Sequence, residues 1–456
     1  MTFDLVNART IHVLGASGPG MGAITRILAR MGHRVSACDV RDTPELRGLA
    51  VDGVAVAAVN DVGHVHGVEA ITYSSVIPES HVEIAEAKAR GVQPLVRADM
   101  LAAICATRRS IGVAGTHGKT TTSAMLATIL SNAGGDPSYV IGAEVPGLGA
   151  NAHWGSGDYL VVEADESDST HLCLPLFGAI VTNVDLDHLD NFGSFDGIVA
   201  SFAAFLEGTS GPRVVCAHDS ACATFAQQYD CVTYGIDRGD VQATNLAATA
   251  AGSIFDLHID GATERVELPQ RGRHNVLNAL AALAMATRLD ISPTDAVAAL
   301  RRFSGVARRF ESRGEQGGVQ FIDDYAHLPA EIAASLSAAR LGDARRVVAV
   351  FQPNRYHRIA QMAESYADSF VDADVVVITD IYASGTIPIE GVTGHLIVDA
   401  VRNAHPEARV EWCAQRGSLA TFVGELLQPG DVCVSMGCGD VATLPDEIIA
   451  LRGVTS

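Results

Sequence analysis

A seven-residue segment between a predicted strand and a predicted helix carries the clearest chemical signal in the sequence. The segment is Gly115-Thr116-His117-Gly118-Lys119-Thr120-Thr121. Glycines allow backbone N–H groups to approach phosphate oxygens, and the N-terminus of the helix adds its dipole. Lys119 can contact the β- and γ-phosphates of a nucleotide, and the Thr120 hydroxyl can bind Mg²⁺. Because Val113 stands where the full phosphate-loop pattern has its first glycine, a chance glycine-rich turn is the alternative to a nucleotide site.

Acidic residues follow an apolar strand farther along the chain. Glu163 comes directly after the run LVV at residues 160–162, and three more carboxylates follow within residues 164–168. Parallel α/β proteins place ligand groups at the carboxyl ends of their strands. Carboxylates held this close repel one another unless a cation neutralises them. Glu163 is therefore predicted to bind a metal opposite the phosphate loop, with a solvated acidic loop as the alternative.

Two further polar motifs lie next to predicted elements. The motif DLDH at residues 185–188 follows an apolar strand, and His188 is a candidate for a second Mg²⁺ or for the transferred phosphate. A structural or solvated histidine is the alternative. The motif GRHN at residues 272–275 precedes a helix predicted over residues 276–287. A polar cluster at that position can bind phosphate or simply cap the helix.

The loop GASGPGM at residues 15–21 also lies between a predicted strand and a predicted helix. Asp39 follows about twenty residues later at the end of the next strand, which is close to a dinucleotide-binding fingerprint. Ser17 occupies the second glycine position and argues against a plain NAD site. A structural strand-to-helix turn is the alternative.

Two motifs in the last third of the chain also follow predicted strands. DDYAH at residues 323–327 leads through Pro329 into a helix, and QPNRYHR covers residues 352–358. Arg355 and Arg358 are three residues apart, so we expect them to share one helical face and to grip a carboxylate together. Surface arginines in salt bridges are the alternative.

These motifs need parallel strands to bring them together, and the sequence alternates strands with helices in three blocks. Helices are predicted at residues 23–30, 120–133 and 276–287. Strands are predicted at residues 11–14, 34–38, 69–73, 110–114, 159–163, 179–182, 320–323, 346–351, 374–378 and 431–435. The 456 residues indicate about three domains, with boundaries near residues 107 and 311.

Composition excludes several classes of function. Lys+Arg 32 against Asp+Glu 53 gives a net charge of −21, which argues against a broad nucleic-acid or acidic-membrane surface. The nine cysteines form no CxxC pair, as expected for reduced thiols. The N-terminus lacks the pattern of a signal peptide, and no segment approaches about 18 uninterrupted apolar residues. A soluble cytoplasmic protein is expected.

Taken together, the motifs resemble those of the Mur ligase family along essentially the whole chain. The matching stretches are GASGPGM, SSVIPES, GTHGKTTT, EADESD, TNVDLDH, GRHN, ARRFE, DDYAHLPAE and QPNRYHR. The resemblance implies an α/β fold with three domains, each built on a mostly parallel sheet. They are a Rossmann-like UDP-sugar-binding domain (1–107), a P-loop ATPase-like ATP-binding domain (108–310) and a Rossmann-like amino-acid-binding domain (311–456).

The resemblance also implies the reaction. An ATP-dependent carboxylate–amine ligase would join L-alanine to the lactyl carboxylate of UDP-N-acetylmuramic acid through an acyl phosphate, in peptidoglycan precursor synthesis. ATP and Mg²⁺ are the implied cofactors. The protein is expected to be a monomer or a weak homodimer, with neither nucleic acid nor membrane as a partner.

Residue roles follow by motif position. The implied catalytic residues are Lys119, Glu163, His188 and Arg309, with Arg309 near the γ-phosphate. Because the attacking amine must lose a proton, His327 is added to them as the candidate general base. The implied metal ligands are Thr120, Glu163 and His188. ATP would contact Gly115, Thr116, His117, Gly118, Lys119, Thr120 and Thr121, with Asn275 at the adenine and Asp324 at the ribose. The nucleotide sugar would contact Gly15, Ser17, Gly18, Gly20, Met21, Asp39, Ser74 and Ser75. The amino-acid pocket would contain Tyr325, Arg355 and Arg358 beside His327.

Two positions depart from the family pattern. The family usually has a second histidine where Leu328 follows His327, and a histidine where Asn354 precedes Arg355. Both lie beside the implied amino-acid pocket. Since a change of one methyl group in a pocket alters binding by ~1–3 kcal/mol, glycine and L-serine stay open as substrates.

Three other functions stay open. A recycling ligase of the same family would add a tripeptide to the same nucleotide sugar. A nicotinamide-dependent dehydrogenase would use the N-terminal loop, although Ser17 and the second phosphate loop argue against it. A non-catalytic relative would bind UDP-N-acetylmuramic acid and regulate flux, although the retained Lys119, Thr120, Glu163 and His188 argue against it.

Overall fold

The computed structural model describes residues 3–187, 189–249, 251–342 and 344–454. Its strands form three mostly parallel sheets with helices between them, so the predicted three-domain α/β fold is confirmed. The chain divides into two compact units. The first unit contains Met1–Asn245, Phe255–Val266 and Leu277–Ser304, and the second contains Leu246–Ile254, Glu267–Val276 and Gly305–Ser456.

The N-terminal sheet has the order β3-β2-β1-β4-β5, and every pairing is parallel. Its strands are β1 (Thr10–Leu14), β2 (Arg34–Cys38), β3 (Ala55–Ala57), β4 (Ala70–Tyr73) and β5 (Gln93–Val96). Its helices are α1 (Pro19–Arg30), α2 (Pro44–Gly48), α3 (Val82–Ala89) and α4 (Arg97–Cys105), with 3₁₀ turns at Leu49–Asp52 and Val62–Val65. The strand order reverses between β1 and β4. A ligand crevice is expected at such a switch point, outside the carboxyl ends of these two strands.

The central sheet has the order β15-β14-β13-β12-β11-β10-β6-β9-β7-β8. Its strands are β6 (Arg109–Ala114), β7 (Ser138–Val140), β8 (Ala152–His153), β9 (Tyr159–Glu163), β10 (Gly178–Val181), β11 (Arg213–Cys216), β12 (Val232–Ile236), β13 (Val241–Thr249), β14 (Gly252–Ile259) and β15 (Ala262–Leu268). Its helices are α5 (Lys119–Asn132), α6 (Leu189–Phe192), α7 (Phe195–Glu207), α8 (Ser220–Tyr229), α9 (Arg273–Arg288) and α10 (Pro293–Leu300), with a 3₁₀ turn at Thr170–Cys173. Strand β6 pairs in parallel with both β9 and β10, so the loops that follow these three strands meet at one edge.

The C-terminal sheet has the order β16-β17-β21-β18-β19-β20, and its edge strand β16 is antiparallel to β17. Its strands are β16 (Glu311–Gln316), β17 (Val319–Asp324), β18 (Arg346–Phe351), β19 (Val375–Thr379), β20 (Val410–Cys413) and β21 (Asp431–Met436). Its helices are α11 (Pro329–Arg340), α12 (Tyr356–Met362), α13 (His395–Ala404), α14 (Arg416–Leu426) and α15 (Leu444–Val454), with 3₁₀ turns at Ala363–Tyr366 and Asp440–Thr443.

Strand β18 shows why the predicted strands in this sheet are continuous apolar runs. Val347, Ala349 and Phe351 pack into one apolar cluster, and Val348 and Val350 pack into another. A parallel sheet covered by helices buries both of its faces, so the residues that point to either face are apolar. The strands predicted at residues 34–38, 159–163 and 346–351 coincide with β2, β9 and β18.

Two helices begin three or four residues earlier than predicted. Helix α1 begins at Pro19, a residue type favoured in the first turn because its missing N–H group would have no partner there. Helix α9 begins at Arg273, so most of the GRHN motif lies inside the helix and does not precede it. Within the described ranges, no helix is both long enough and apolar enough to cross a bilayer.

Candidate active site

The phosphate-binding segment predicted from the sequence forms the turn between β6 and α5. Gly115 has φ +124° and Gly118 has φ +83°, which is backbone that favours glycine. A Cβ atom on Gly115 would lie 2.9 Å from the backbone nitrogen of Thr182 and closer still to its hydroxyl. Gly118 is the N-cap of α5 and supplies no capping side chain. The turn therefore presents the N-terminus of a helix in the way that suits a phosphate group.

Residues at the end of the neighbouring strand β10 hold this turn in place. The backbone N–H of His117 donates to Asn183 Oδ1 at 2.9 Å, and Asn183 Nδ2 donates back to the His117 carbonyl at 3.0 Å. The Thr182 hydroxyl donates to the same carbonyl at 2.6 Å. His117 Nε2 lies 3.1 Å from Asp185 Oδ2. The TN pair of the TNVDLDH motif thus braces the loop, a role that the sequence did not indicate.

Lys119 points back across the loop to the acidic segment after β9. Its Nζ atom donates to the Gly115 carbonyl at 2.7 Å and to Glu166 Oε1 at 2.8 Å. Burial opposes the charged ammonium, but the carboxylates of Glu166 and Asp165 outweigh it and raise the pKa of Lys119. The side chain therefore stays charged, and it sits where the phosphates of a nucleotide would compete with Glu166 for it. The sequence had placed Glu166 in the acidic loop without assigning it a role.

Two of the three predicted metal ligands face each other. The Thr120 hydroxyl donates to Glu163 Oε1 at 3.0 Å, and the backbone N–H of Gly142 donates to Glu163 Oε2 at 2.7 Å. Hydroxyl and carboxylate oxygens are the donors that Mg²⁺ prefers, and this ion usually completes its shell with water and substrate phosphates. The pair therefore fits Mg²⁺. The third predicted ligand, His188, lies outside the described residues. Thr116 lies in the phosphate-binding turn and Thr121 in the first turn of α5, and both residues are buried.

A cleft of about 610 Å³ opens at the switch point of the N-terminal sheet. Six residues predicted to contact the nucleotide sugar line it, namely Gly15, Gly18, Gly20, Met21, Asp39 and Ser74. Ser17 does not line the cleft, but its backbone N–H donates to Asp39 Oδ2 at 3.1 Å and so orients that carboxylate. Ser75 is exposed and is also absent from the lining.

Several lining residues were missed by the sequence reasoning, and Arg97 is the most informative. Arg97 begins α4 at the carboxyl end of β5, a position that could have pointed to it. Its NH2 atom lies 2.7 Å from Asp168 Oδ2 and 3.8 Å from Asp165 Oδ2. Arg97 therefore joins the cleft of the N-terminal sheet to the acidic segment that also faces the phosphate loop. The other missed residues with polar side chains in the lining are Arg41, Asn60 and His81.

In the second unit, three hydrogen bonds hold the side chain of Asp324, the last residue of β17. Both carboxylate oxygens of Asp324 accept hydrogen bonds, from the backbone N–H groups of Ala326 and Phe310 and from the Ser335 hydroxyl. Burial raises the pKa of Asp324 to about 6 although the charge of Arg309 opposes the shift. The Arg309 guanidinium carbon lies 4.9 Å from the centre of the Tyr325 ring. Arg309 therefore lies beside the motif that contains Asp324 and Tyr325. The nucleotide contacts of Asp324 and Arg309 stay predictions.

His327 has a defined orientation in the same motif. Its Nδ1 atom lies 3.1 Å from the Tyr325 carbonyl and 3.2 Å from Glu331 Oε2. Both partners accept hydrogen bonds, so Nδ1 carries a proton and Nε2 is left as the atom that can take one up. Tyr325 packs edge-on against the His327 ring with centroids 5.6 Å apart. This geometry is compatible with the predicted role of His327 as a general base.

The arginine pair after β18 is arranged differently from the prediction. Arg355 is the N-cap of α12 and has φ +62°, so it does not share a helical face with Arg358. A non-glycine residue with this backbone stores strain, which proteins tolerate mostly at functional sites. Arg358 is buried and donates through NH1 to Asn354 Oδ1 at 2.8 Å. The predicted shared helical face was wrong because the spacing of the two arginines does not reveal that α12 begins only at Tyr356.

The two departures from the family pattern therefore differ in kind. Asn354 is 4% exposed and orients the Arg358 guanidinium directly. Leu328 is 3% exposed, and its backbone N–H donates to Glu331 Oε2 at 3.2 Å. Leu328 thus belongs to the apolar interior, whereas Asn354 belongs to the polar site.

Asn275 lies in the first turn of α9 in the second unit. Its Nδ2 atom donates to the Arg271 carbonyl at 2.8 Å, and its backbone N–H donates to the Gly272 carbonyl at 3.1 Å. These contacts belong to the helix start, and the predicted adenine contact is not tested by them.

Comparison with known proteins agrees with this arrangement of motifs. Three family models match successive parts of the chain. The description "Mur ligase family, catalytic domain" matches residues 10–109, "Mur ligase middle domain" matches residues 113–286, and "Mur ligase, glutamate ligase domain" matches residues 308–439.

Full-length relatives are similar over almost the entire chain. The UDP-N-acetylmuramate–L-alanine ligase of Rubrobacter xylanophilus is 39% identical over 96% of this chain and 99% of the relative. The enzyme of the same name from Rhodospirillum centenum is 38% identical over 98% of this chain and 96% of the relative. The solved UDP-N-acetylmuramate–alanine ligase of Thermotoga maritima superposes with a TM-score of 0.83 at 25% identity, covering 98% of this chain and 100% of that one. A murein peptide ligase of Psychrobacter arcticus gives 0.71 at 24% identity, covering 98% and 99%. The matched motifs, relatives and fold together show that the chain belongs to the Mur ligase family.

Proposed function

We propose that the chain joins L-alanine to the lactyl carboxylate of UDP-N-acetylmuramic acid while ATP is converted to ADP and phosphate, as a step in peptidoglycan precursor synthesis. The proposal rests on the contact between two sites of the first unit, the cleft of the N-terminal sheet and the phosphate-binding turn with its acidic segment. Arg97 lines the cleft of the N-terminal glycine-rich loop and pairs with Asp168 in the acidic segment that faces Lys119. A nucleotide sugar and the phosphates of ATP can therefore meet there. Relatives that carry this activity in their names support the choice of substrates.

The reaction needs an activated carboxylate. The lactyl carboxylate would attack the γ-phosphorus of ATP, breaking its bond to the β-phosphate oxygen and giving an acyl phosphate and ADP. The amine of L-alanine would then attack the acyl carbon, and the tetrahedral intermediate would expel phosphate. Phosphoryl transfer depends mostly on positioning and charge stabilisation. Lys119, released from Glu166, is the described cation best placed to supply that charge.

We assign a magnesium site to the Thr120 hydroxyl and the Glu163 carboxylate, with His188 as the ligand of a second ion. Bound there, Mg²⁺ would neutralise charge on the phosphate oxygens. Arg309 would act at the γ-phosphate, Asn275 at the adenine and Asp324 at the ribose. We further infer domains at residues 1–107, 108–310 and 311–456, a division that the ranges of the matching family models support.

The amino-acid pocket is proposed around His327, Tyr325 and the two arginines after β18. Arg358, held by Asn354, would bind the carboxylate of L-alanine, and Arg355 would complete the contact. His327 would take the proton from the attacking amine at Nε2, because Nδ1 is already engaged with two acceptors.

The test is phosphate release from ATP and Mg²⁺ in the presence of UDP-N-acetylmuramic acid, with L-alanine, glycine, L-serine or the tripeptide L-alanyl-γ-D-glutamyl-meso-diaminopimelate added separately. Release that requires both the nucleotide sugar and L-alanine, with a product of the summed mass, is the expected result. Release only with the tripeptide would identify a recycling ligase instead. Binding of the nucleotide sugar with no release for any acceptor would contradict a ligase and favour a regulatory role.

The chain offers a matched control for the phosphate loop, because Lys119 and Lys88 are its only two lysines. Lys119→Met should reduce kcat by about a hundredfold or more, in the range seen when one charge-stabilising donor is removed. Lys88 lies on α3 and pairs with Glu79 on the surface, so Lys88→Met should leave the rate unchanged. Equal rates for the two variants would remove Lys119 from the mechanism.

A further inference from the structure

Four side chains that the proposed reaction does not use converge beneath the N-terminal glycine-rich loop. His12 lies in β1, Cys38 ends β2, His64 lies in the 3₁₀ turn Val62–Val65, and Glu83 lies in the first turn of α3. One potential ligand atom from each side chain lies within 4.8 Å of all the others. Four separate elements therefore supply two nitrogens, one sulfur and one carboxylate oxygen to a single point.

Four of the distances within this cluster are short. His12 Nε2 lies 3.0 Å from Glu83 Oε2 and 3.4 Å from Cys38 Sγ. Cys38 Sγ lies 3.6 Å from Glu83 Oε1, and His64 Nδ1 lies 3.5 Å from the same oxygen. Zinc bonds of about 2.0–2.1 Å to nitrogen and 2.3 Å to sulfur imply distances of roughly 3.3–3.6 Å between the ligands of a tetrahedral site. Three of the four distances fall in this range, and the shorter fourth joins His12 to the second oxygen of Glu83.

We propose that His12, Cys38, His64 and Glu83 bind one Zn²⁺ ion in a four-coordinate site. Imidazole, thiolate and carboxylate are all zinc ligands, and a tetrahedral set that mixes sulfur and nitrogen favours this ion over Mg²⁺ or Ca²⁺. A thiolate and a carboxylate also balance the two charges of the ion, so the loaded site is neutral. Binding must release the proton of the Cys38 thiol.

Neighbouring residues hold His12 and Glu83 in fixed orientations, as they do for the ligands of known metal sites. His12 Nδ1 lies 2.8 Å from the Ser36 hydroxyl, a partner that fixes the ring and leaves Nε2 facing the centre. The backbone N–H of Asp61 donates to Glu83 Oε1 at 2.9 Å. Cys38 and Glu83 are fully buried, whereas the His64 side chain is 23% exposed and gives an ion a route of entry.

Hydrogen bonds within the cluster satisfy only some of its polar atoms. The His12–Glu83 pair satisfies those two side chains, but His64 Nδ1 is buried and has no hydrogen-bond partner within the described ranges. A ring nitrogen that lies 3.5 Å from a carboxylate oxygen without a hydrogen bond to it is what an added cation would satisfy. The unpartnered nitrogen is therefore the second observation that points to a ligand.

The site is connected to the cleft through Cys38. Its carbonyl accepts hydrogen bonds from the backbone N–H groups of Gly15 at 2.9 Å and Ala16 at 3.1 Å, and the next residue, Asp39, lines the cleft. An ion at Cys38 would hold the end of β2 and the glycine-rich loop together. The inference rests on this geometry and does not depend on the proposed reaction.

The test uses the full chain, stripped with a chelator, passed through a desalting column and titrated with Co²⁺ and then Zn²⁺. We expect one equivalent of metal per chain, a thiolate-to-cobalt charge-transfer absorption that Zn²⁺ abolishes, and a higher thermal midpoint with Zn²⁺. Less than about one-tenth of an equivalent of bound metal would overturn the proposal. Absorption without a thiolate band would do the same, because binding would then involve carboxylates elsewhere.

Variants locate the site. Cys38→Ser and His64→Ala should each lose the thiolate band or weaken metal binding at least tenfold. The partly exposed His64 provides a change that leaves the buried residues in place. Cys105→Ser is the matched control, since Cys105 is a fully buried thiol on α4 and is not part of the cluster. Retention of the band in Cys38→Ser, with a folded protein by circular dichroism, would assign the metal to another cysteine and refute the proposal.

Discussion

Replacing Gly115 with alanine tests whether the turn between β6 and α5 is shaped for phosphate. The added Cβ atom would lie 2.9 Å from the Thr182 backbone nitrogen, whereas ordinary contacts begin at 3.4 Å. The loop and the end of β10 must therefore separate by at least 0.5 Å, the difference between these distances, and by more at the Thr182 hydroxyl. That hydroxyl cannot simply turn away without losing its bond to the His117 carbonyl.

The expected loss follows from the displacement. Catalytic groups must be held within about 0.5 Å of their productive positions, and an error of about 1 Å costs on the order of a hundredfold in rate. Gly115→Ala should therefore lower kcat/KM for ATP by roughly ten- to a hundredfold. The backbone strain at φ +124° adds about 1–2 kcal/mol of destabilisation.

Gly134→Ala separates the two effects. Gly134 follows α5, has φ +88°, and has nothing within 4 Å of an added Cβ atom, so only the backbone cost applies there. Both variants should lower the thermal midpoint by a few degrees, about 2–4 °C per kcal/mol for a domain of this size. Phosphate-release kinetics would show the loss in Gly115→Ala alone. Wild-type kcat/KM in Gly115→Ala, or an equal loss in Gly134→Ala, would refute the steric argument.

Three further predictions concern other parts of the molecule. Asn354→Ala should raise the KM for L-alanine about ten- to a hundredfold, because a hydrogen bond to a charged group such as Arg358 contributes about 1.5–3 kcal/mol. Arg97→Ala should raise the KM for the nucleotide sugar by about tenfold, since it removes a cation from the cleft and takes away the ion-pair partner of Asp168. Burial lowers the pKa of His171 from 6.5 to about 4, so only the unfolded chain binds this proton as the pH falls between those values. The free energy of unfolding should therefore decrease with falling pH, by up to about 3 kcal/mol in total.

Each of these predictions has its own check. Asn403→Ala, at an exposed position on α13, should leave the KM for L-alanine unchanged, and an effect equal to that of Asn354→Ala would rule out a specific contact. Arg90→Ala removes an exposed arginine paired with Glu86 and should not affect nucleotide-sugar binding. Urea unfolding of His171→Gln at pH 7 and pH 5 should show a smaller difference than wild type. An unchanged difference would mean that other groups cause the acid sensitivity.

Short stretches of the sequence specify the local chemistry of this protein. The segment around Lys119, the carboxylates after β9 and the polar motifs after β17 and β18 each follow a strand directly, so chain direction alone places them at strand ends. Buried parallel strands appear as continuous apolar runs because both of their faces are covered. For this reason the α/β fold and the phosphate loop were predictable, and several strand boundaries were predicted to the residue.

Contacts between distant parts of the chain were decided only by the tertiary structure. Strand order places β6 between β9 and β10, and this brings Glu166 to Lys119 and the TN pair to His117. Packing of α4 against the 3₁₀ turn Thr170–Cys173 likewise brings Arg97 to Asp168, 71 residues away in sequence.

The same dependence on tertiary contacts explains the two features that differ most from the predictions. The start of α12 at Tyr356 removed Arg355 from the helical face expected for it, because helix ends depend on capping contacts that a spacing pattern does not show. His12, Cys38, His64 and Glu83 share no motif and meet only because β1, β2, a 3₁₀ turn and α3 pack around one point. A sequence specifies which groups follow each strand, whereas long-range packing specifies which of those groups become neighbours.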